Sequence, residues 1–132
     1  MSVARKYLLD ASALLALIQN EAGAERVAAV LDNSCIHAVN LVEVVRKLVQ
    51  KGMHIAEATA LLADLHLDVI EELYEKQAYQ IGNPAWQSVS LGDVVCLSVG
   101  HFYEHTIVTA DRRWSKLEGV SQEIIQIRPA ES

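Results

Sequence analysis

Aromatic, basic and sulfur-bearing residues are all scarce in this sequence, and each scarcity narrows what the chain can be. Aromatics make up 5% of the 132 residues, so the core is expected to be aliphatic. The two cysteines, Cys35 and Cys96, lie far apart, and neither belongs to a Cys-x-x-Cys pair. They allow one disulfide at most, and their apolar neighbours predict buried free thiols in a reducing cytoplasm. Lys and Arg number 11 against 17 Asp and Glu, a net charge of −6. That balance argues against broad duplex binding, which relies on many cations at phosphates. It does not exclude nucleic acid, because acids gathered around a cation also drive the count negative. No apolar run reaches membrane-spanning length. Arg5 and Lys6 ahead of an apolar run imitate a signal peptide, but Asp10 interrupts the run and no small-residue cleavage site follows Ile18. A cytoplasmic protein with no membrane segment is expected. His101 and His105 stand four apart without a third ligand or a His-Glu-x-x-His motif, which leaves them as ordinary histidines.

What the sequence does have is apolar residue, 52% of the chain and mostly Ala, Val, Leu and Ile. This suffices for one globular domain over residues 1–132 with its own core. Short aliphatic runs alternate with helical periodicity, which predicts an α/β fold around a parallel sheet. Strands are expected at Tyr7–Leu9, Ser34–Ile36, Leu67–Val69, Thr106–Val108 and Ile124–Ile127. Helices are expected at Ala11–Ile18, Ala24–Leu31, Leu41–Lys51, Ile55–Leu65, Glu71–Ile81, Leu91–Tyr103 and Arg112–Leu117. Asp32-Asn33 reads as a turn, and Gly82-Asn83-Pro84 as a strong break.

Four acids carry the chemical interest: Asp10, Glu43, Asp93 and Asp111. Each has a purely structural explanation. Asp10 and Asp111 follow strands and fit helix N-caps. Asn40-Leu41-Val42-Glu43 fits a capping-box variant, with Glu43 reaching back to Asn40, and Ser90-Leu91-Gly92-Asp93 fits the same pattern. Glu43 also precedes Lys47 by four residues, a favourable helix pair. On a helical wheel Glu43 falls with Asn40, Arg46 and Lys47, opposite Leu41, Val45 and Leu48.

Taken together, these caps point elsewhere. Strands of a parallel sheet deliver the chain to one edge, the following helices start there, and such folds place ligands there. Converging carboxylates repel one another unless a cation neutralises them. Hard oxygen donors without nearby His or Cys suit Mg²⁺ or Mn²⁺ rather than zinc. Such a metal supports phosphodiester hydrolysis.

The segments holding the four acids resemble those of one family. Leu8-Leu9-Asp10-Ala11-Ser12-Ala13-Leu14 resembles the opening of PIN-domain ribonucleases, especially VapC-type toxins of type II toxin–antitoxin systems. Val39-Asn40-Leu41-Val42-Glu43-Val44-Val45, Ser90-Leu91-Gly92-Asp93 and Thr109-Ala110-Asp111-Arg112 match the later family segments in order. The resemblance implies a Rossmann-like α/β sheet of about five parallel strands flanked by helices, and metal-dependent endoribonuclease activity. Asp10 and Asp93 would be the surest metal ligands, with Glu43 and Asp111 completing the set directly or through water. Ser12, Asn40 and Thr109 would be auxiliary. The resemblance also implies a homodimer and a small VapB-like antitoxin that occludes the site. Arg46, Lys47, Arg112, Arg113 and Lys116 are expected to grip RNA phosphates near the site, a solvated face being the alternative. The stretch Gly82–Val89 ahead of Ser90 departs from the family pattern, so target preference does not carry over. Trp86 and Trp114 offer base stacking or, more commonly, packing.

Two other functions compete. An Asp-dependent phosphotransferase or phosphatase would use Asp10 as nucleophile. The dehalogenase-type pattern wants a second Asp two positions on, where this chain has Ser12. A catalytically silent PIN-like domain would bind RNA or protein only.

Overall fold

The computed structural model describes residues 6–129; Arg5, of the basic pair near the N-terminus, lies outside them. Five strands form one wholly parallel sheet in the order β3-β2-β1-β4-β5. They are β1 (Tyr7–Leu9), β2 (Ser34–His37), β3 (Asp68–Ile70), β4 (Thr106–Thr109) and β5 (Ile124–Gln126). The helices are α1 (Ala11–Ile18), α2 (Ala24–Val30), α3 (Ala38–Gln50), α4 (Ile55–Asp64), α5 (Glu75–Ile81) and α6 (Leu91–Tyr103). Short 3-10 turns occupy Leu31–Asn33, Pro84–Trp86 and Arg112–Lys116.

The pleat explains why the central strands β1, β2 and β4 are largely apolar and buried. Successive side chains point to opposite faces, so a strand covered on both sides buries every residue. Leu9, Ile36 and Val108 enter one core with Leu14, Val44 and Leu48. Their neighbours Leu8, Cys35 and Ile107 enter the other, with Val95, Leu97 and Val99 of α6. Cys35 and Cys96 are both buried and not disulfide-bonded, as expected. The cores are mainly aliphatic, with Trp86 and Trp114 the buried aromatic exceptions. Both rings are packed inside, so neither is a stacking platform. Among the described residues, no helix is long and apolar enough to cross a membrane.

Three expectations need correction. The third helix starts at Ala38 rather than Leu41, because His37 caps it: its Nδ1 accepts from the Val39 N–H at 3.1 Å. The other ring nitrogen therefore carries the proton and bonds the Glu72 carbonyl at 3.0 Å. That bond holds the chain after β3 extended, so α5 starts at Glu75 instead of Glu71. Asn40 thus lies inside α3. It neither caps the helix nor shares a solvated face with Arg46, but is 1% exposed. Smaller end shifts affect β2, β3, β4, β5, α2 and α4, and the expected short helix at Arg112 is a 3-10 turn.

Candidate metal centre at the carboxyl edge of the sheet

β1 and β4 lie side by side, and β2 and β5 extend from them in opposite directions. The crevice above the carboxyl ends of such a strand pair is the usual ligand position in an open parallel sheet. Asp10 follows β1 directly and caps α1, its Oδ1 accepting from the Ala13 N–H at 2.8 Å. Ser12 Oγ donates to the same oxygen at 2.7 Å, and Thr109 Oγ1 donates to Oδ2 at 2.5 Å. Thr109 ends β4, and its hydroxyl accepts from the Asp111 N–H at 3.0 Å. Ser12 Oγ in turn accepts from the Ala110 N–H at 2.9 Å. One hydroxyl network therefore ties the ends of β1 and β4 together around a single carboxylate.

Asp10 is 2% exposed. Burial pushes its pKa from the ordinary 3.8 up to about 7, against the pull of Thr109, Ala13 and Ser12, with the Asp93 charge adding to the rise. Desolvation outweighs the three hydrogen bonds, and the Asp93 charge adds to it.

The other acids arrive from three further elements. Glu43, on the second turn of α3, is half-buried, and Asn40 Nδ2 donates to its Oε1 at 2.9 Å. The same amide group donates to the Gly92 carbonyl at 3.0 Å, joining α3 to the first turn of α6. Gly92 is required for this approach: a Cβ there would stand 2.1 Å from Glu43 Oε1. Asp93 follows in α6, whose N-cap Ser90 accepts from the Asp93 N–H at 3.3 Å. Asp111 caps the 3-10 turn after β4.

Burial also raises the proton affinity of Glu43 and Asp93. Asp93 is the electrostatic hub, since its charge raises Asp10 and Glu43 and is itself raised by Asp111. Asp111 goes the other way. Arg113 grips it with Nε on Oδ1 at 3.0 Å and Nη2 on Oδ2 at 2.6 Å, holding its carboxyl below the ordinary range.

The donor set fits a hard divalent cation. It consists of carboxylates that disfavour one another's charge, without His or Cys, and it includes a buried Asn40 Oδ1 that has no hydrogen-bond partner. Among the described residues, no three His, Cys, Asp or Glu side chains already surround one ion position. Asp111 is turned onto Arg113.

A cleft of about 770 Å³ opens from Asp93 and Asp111, with Arg112, Arg113 and Lys116 along it. Arg112 Nε donates to the Arg128 carbonyl at 2.9 Å. Arg46 and Lys47 are exposed on α3, and Lys47 lowers the proton affinity of Glu43. Sequence reasoning had brought together the four acids with Ser12, Asn40 and Thr109. It missed Gly92 and the pairing of Arg113 with Asp111. The Arg113 pairing has no sequence signal beyond its nearness to Asp111, whereas Gly92 had one in the capping segment.

The PIN domain family model matches residues 7–120. The chain belongs to the PIN domain family. Solved structures of similar fold include DNA-bound VapBC from Salmonella typhimurium, at TM-score 0.70 and 17% identity, covering 92% of this chain and 98% of that one. VapBC2 from Rickettsia felis bound to a promoter DNA fragment matches at TM-score 0.68 and 15% identity, with 91% and 98% covered. VapBC-1 from nontypeable Haemophilus influenzae matches at 0.69 and 14%, with 93% and 98% covered. No curated protein matches the chain in sequence. The PIN assignment agrees with the family resemblance of the four acidic segments, and the parallel five-stranded sheet is the fold that resemblance implied.

Proposed function

We propose that this PIN-domain protein is a divalent-metal-dependent endoribonuclease, the VapC-like toxin of a toxin–antitoxin pair. What supports this reading is that Asp10, Glu43, Asp93 and Asp111 come from four elements and are electrostatically linked through Asp93, with Asp10 buried and its proton affinity raised to about 7. Capping alone asks for nothing of the kind. An N-cap needs only a side-chain oxygen at the helix end, and a buried, mutually repelling set destabilises the fold unless a cation repays it.

Asp10, Asp93, Glu43 and Asp111 would hold Mg²⁺ or Mn²⁺. When bound, such an ion supplies Lewis acidity at a phosphate oxygen and makes water a better nucleophile. The chain's own residues do the rest. Ser12 and Thr109 fix the Asp10 carboxylate, Asn40 fixes Glu43, and the cleft with Arg112 and Lys116 along it receives the RNA backbone, Arg113 joining them where it is released from Asp111. Arg46 and Lys47 extend the cationic surface along α3. Solved VapBC complexes of the same fold support a small VapB-like antitoxin as partner. A cytoplasmic homodimer completes the proposal.

The test is cleavage of a panel of structured and single-stranded RNAs by purified protein, freed of any co-purifying partner, with Mg²⁺, Mn²⁺ or chelator. Asp10→Asn and Asp93→Asn run beside it. Metal-dependent cleavage that both substitutions abolish is the expected result. Tight RNA binding with no cleavage under any metal would instead make this a silent PIN-like domain. A phospho-aspartate trapped on Asp10 would make it a phosphotransferase.

A further inference from the structure

Beside the acid cleft lies a second, smaller depression, which none of the four acids lines. We propose that it is a subsite for one unstacked base of the RNA strand, favouring uracil or guanine over cytosine. That the base belongs to RNA rests on the nuclease reading.

The depression encloses about 220 Å³ between the end of α5, the turn Pro84–Trp86, α6 and the chain ahead of β5. Sites for drug-sized ligands run to about 300–1,000 Å³, so this one suits a single ring system. Its walls are fastened to each other. Trp86 Nε1 donates to the Glu118 carbonyl at 3.1 Å, tying the chain ahead of β5 to the Pro84–Trp86 turn. Gly119 takes a positive φ of 74° beside the Asn83 amide, and a Cβ there would stand 3.2 Å from Nδ2. The acid cleft is close by. Trp86 lines the depression and Ser88 lines the cleft, two residues and at most about 7 Å of chain apart.

Among the described residues, the lining holds no Asp, Glu, Lys or Arg, so it offers nothing to balance a phosphate or a carboxylate. It offers amides instead. Gln80 Oε1 accepts from the buried Ser98 hydroxyl at 3.0 Å, and Asn83 Oδ1 accepts from the Ala85 N–H at 3.0 Å. Gln122 Oε1 accepts from Ser121 Oγ at 3.1 Å. With those oxygens taken, each side chain has its NH₂ group left to donate. The Ser121 hydrogen is spent on Gln122, so His101 Nδ1 donates to the Ser121 oxygen at 2.9 Å. In the neutral ring Nε2 is then an acceptor.

Three donor groups and one acceptor therefore stand around apolar Leu97 and Val120. Single-stranded RNA is read by hydrogen bonds to the edges of splayed-out bases, and amide side chains are common readers of base edges. A base rich in carbonyl and ring-nitrogen acceptors complements this set. Uracil and guanine have such edges, whereas cytosine puts an amino group where uracil has a carbonyl.

The test uses the full chain in chelator, its side-chain amides assigned by triple-resonance NMR, with short single-stranded RNAs. RNA containing uracil or guanine is expected to shift the Gln80, Asn83 and Gln122 NH₂ resonances saturably. An abasic strand of the same length keeps the phosphates and should leave them still. Free uridine and guanosine should bind about tenfold more weakly than the strand, or worse. With Mg²⁺, Gln80→Leu removes one amide from the set and should cut the cleavage preference for uracil or guanine over cytosine about tenfold. Amide shifts equally large with the abasic strand, or none in protein that cleaves RNA, would overturn the proposal and leave the nuclease reading intact. Free nucleosides binding as tightly as the strand would also overturn it, making this a nucleoside site. Base-dependent shifts in protein that cleaves no RNA with any metal would keep the subsite and sink the nuclease reading. The shifts are read on wild type, so they decide the matter even if Gln80→Leu fails to fold.

Discussion

Replacing Asp10 by Asn should stabilise the metal-free protein, and should do so more strongly as the pH rises. Burial raises the Asp10 pKa from 3.8 to about 7 in the folded chain. Between those values the native state holds a proton that the unfolded chain has released. Stability therefore falls as pH rises through this window, and the loss is complete above the folded pKa. At about 1.4 kcal/mol per pH unit the loss approaches about 4 kcal/mol at pH 8, against less than about 1 kcal/mol at pH 4. Asn mimics the protonated acid in shape. Its oxygen can keep the Ala13 and Ser12 bonds, and the Thr109 hydroxyl can turn to accept from its amide.

Urea denaturation in chelator at pH 5, 6, 7 and 8 measures the difference directly. The variant should gain steadily on wild type, by several kcal/mol at the top of the range. Adding Mg²⁺ at pH 8 should erase the gap, because the cation stabilises only the chain that binds it. A gap that is flat with pH, or an Asp10→Asn protein less stable than wild type at pH 8, would refute the reasoning. Asp10 would then be an ordinary helix cap.

Other substitutions separate the parts of the site. Gly92→Ala should displace the Glu43 tip, 2.1 Å from the new Cβ, and cut activity at limiting Mg²⁺ about tenfold or more. The moving group is the end of a flexible side chain, so Tm by differential scanning calorimetry should fall by less than about 5 °C. Thr109→Val removes the hydroxyl shared by Asp10 and the Asp111 N–H; urea denaturation in chelator should record a loss of about 2–3 kcal/mol. Gly100→Ala is a control away from the acids. Its Cβ would meet Ile107 Cδ1 at 2.7 Å, so overpacking should cost about 1–3 kcal/mol in the same assay, with cleavage per folded molecule unchanged.

The features readable from sequence were those governed by short-range rules. Asp10, Ser90 and Asp111 cap where expected, because an acid or Ser after a strand or turn and before a helical run is a local signal. The same rule, combined with a parallel sheet, predicts three of the acids at one edge. It failed at α3, where the cap is His37, outside the usual cap residues, so Asn40 was given a role it does not have. Inside α3 its amide bonds the Gly92 carbonyl, 52 residues away and invisible to any helical wheel. The start of α5 was misplaced for a similar reason, a bond between His37 and Glu72 across 35 residues. The grip of Arg113 on Asp111 and the unpartnered Trp114 nitrogen depend on how one short turn folds inward, which periodicity does not encode.

The claim at the centre of this account is that the four acids act as one unit on a divalent ion. Calorimetric titration of Mn²⁺ into wild type, Asp10→Asn, Asp93→Asn and the double variant tests it most directly. Saturable binding is predicted for wild type, lost on either single substitution, with the double variant no worse than the singles. Absence of binding in folded wild-type protein, or binding undisturbed by both substitutions, would contradict it and leave the acids as caps.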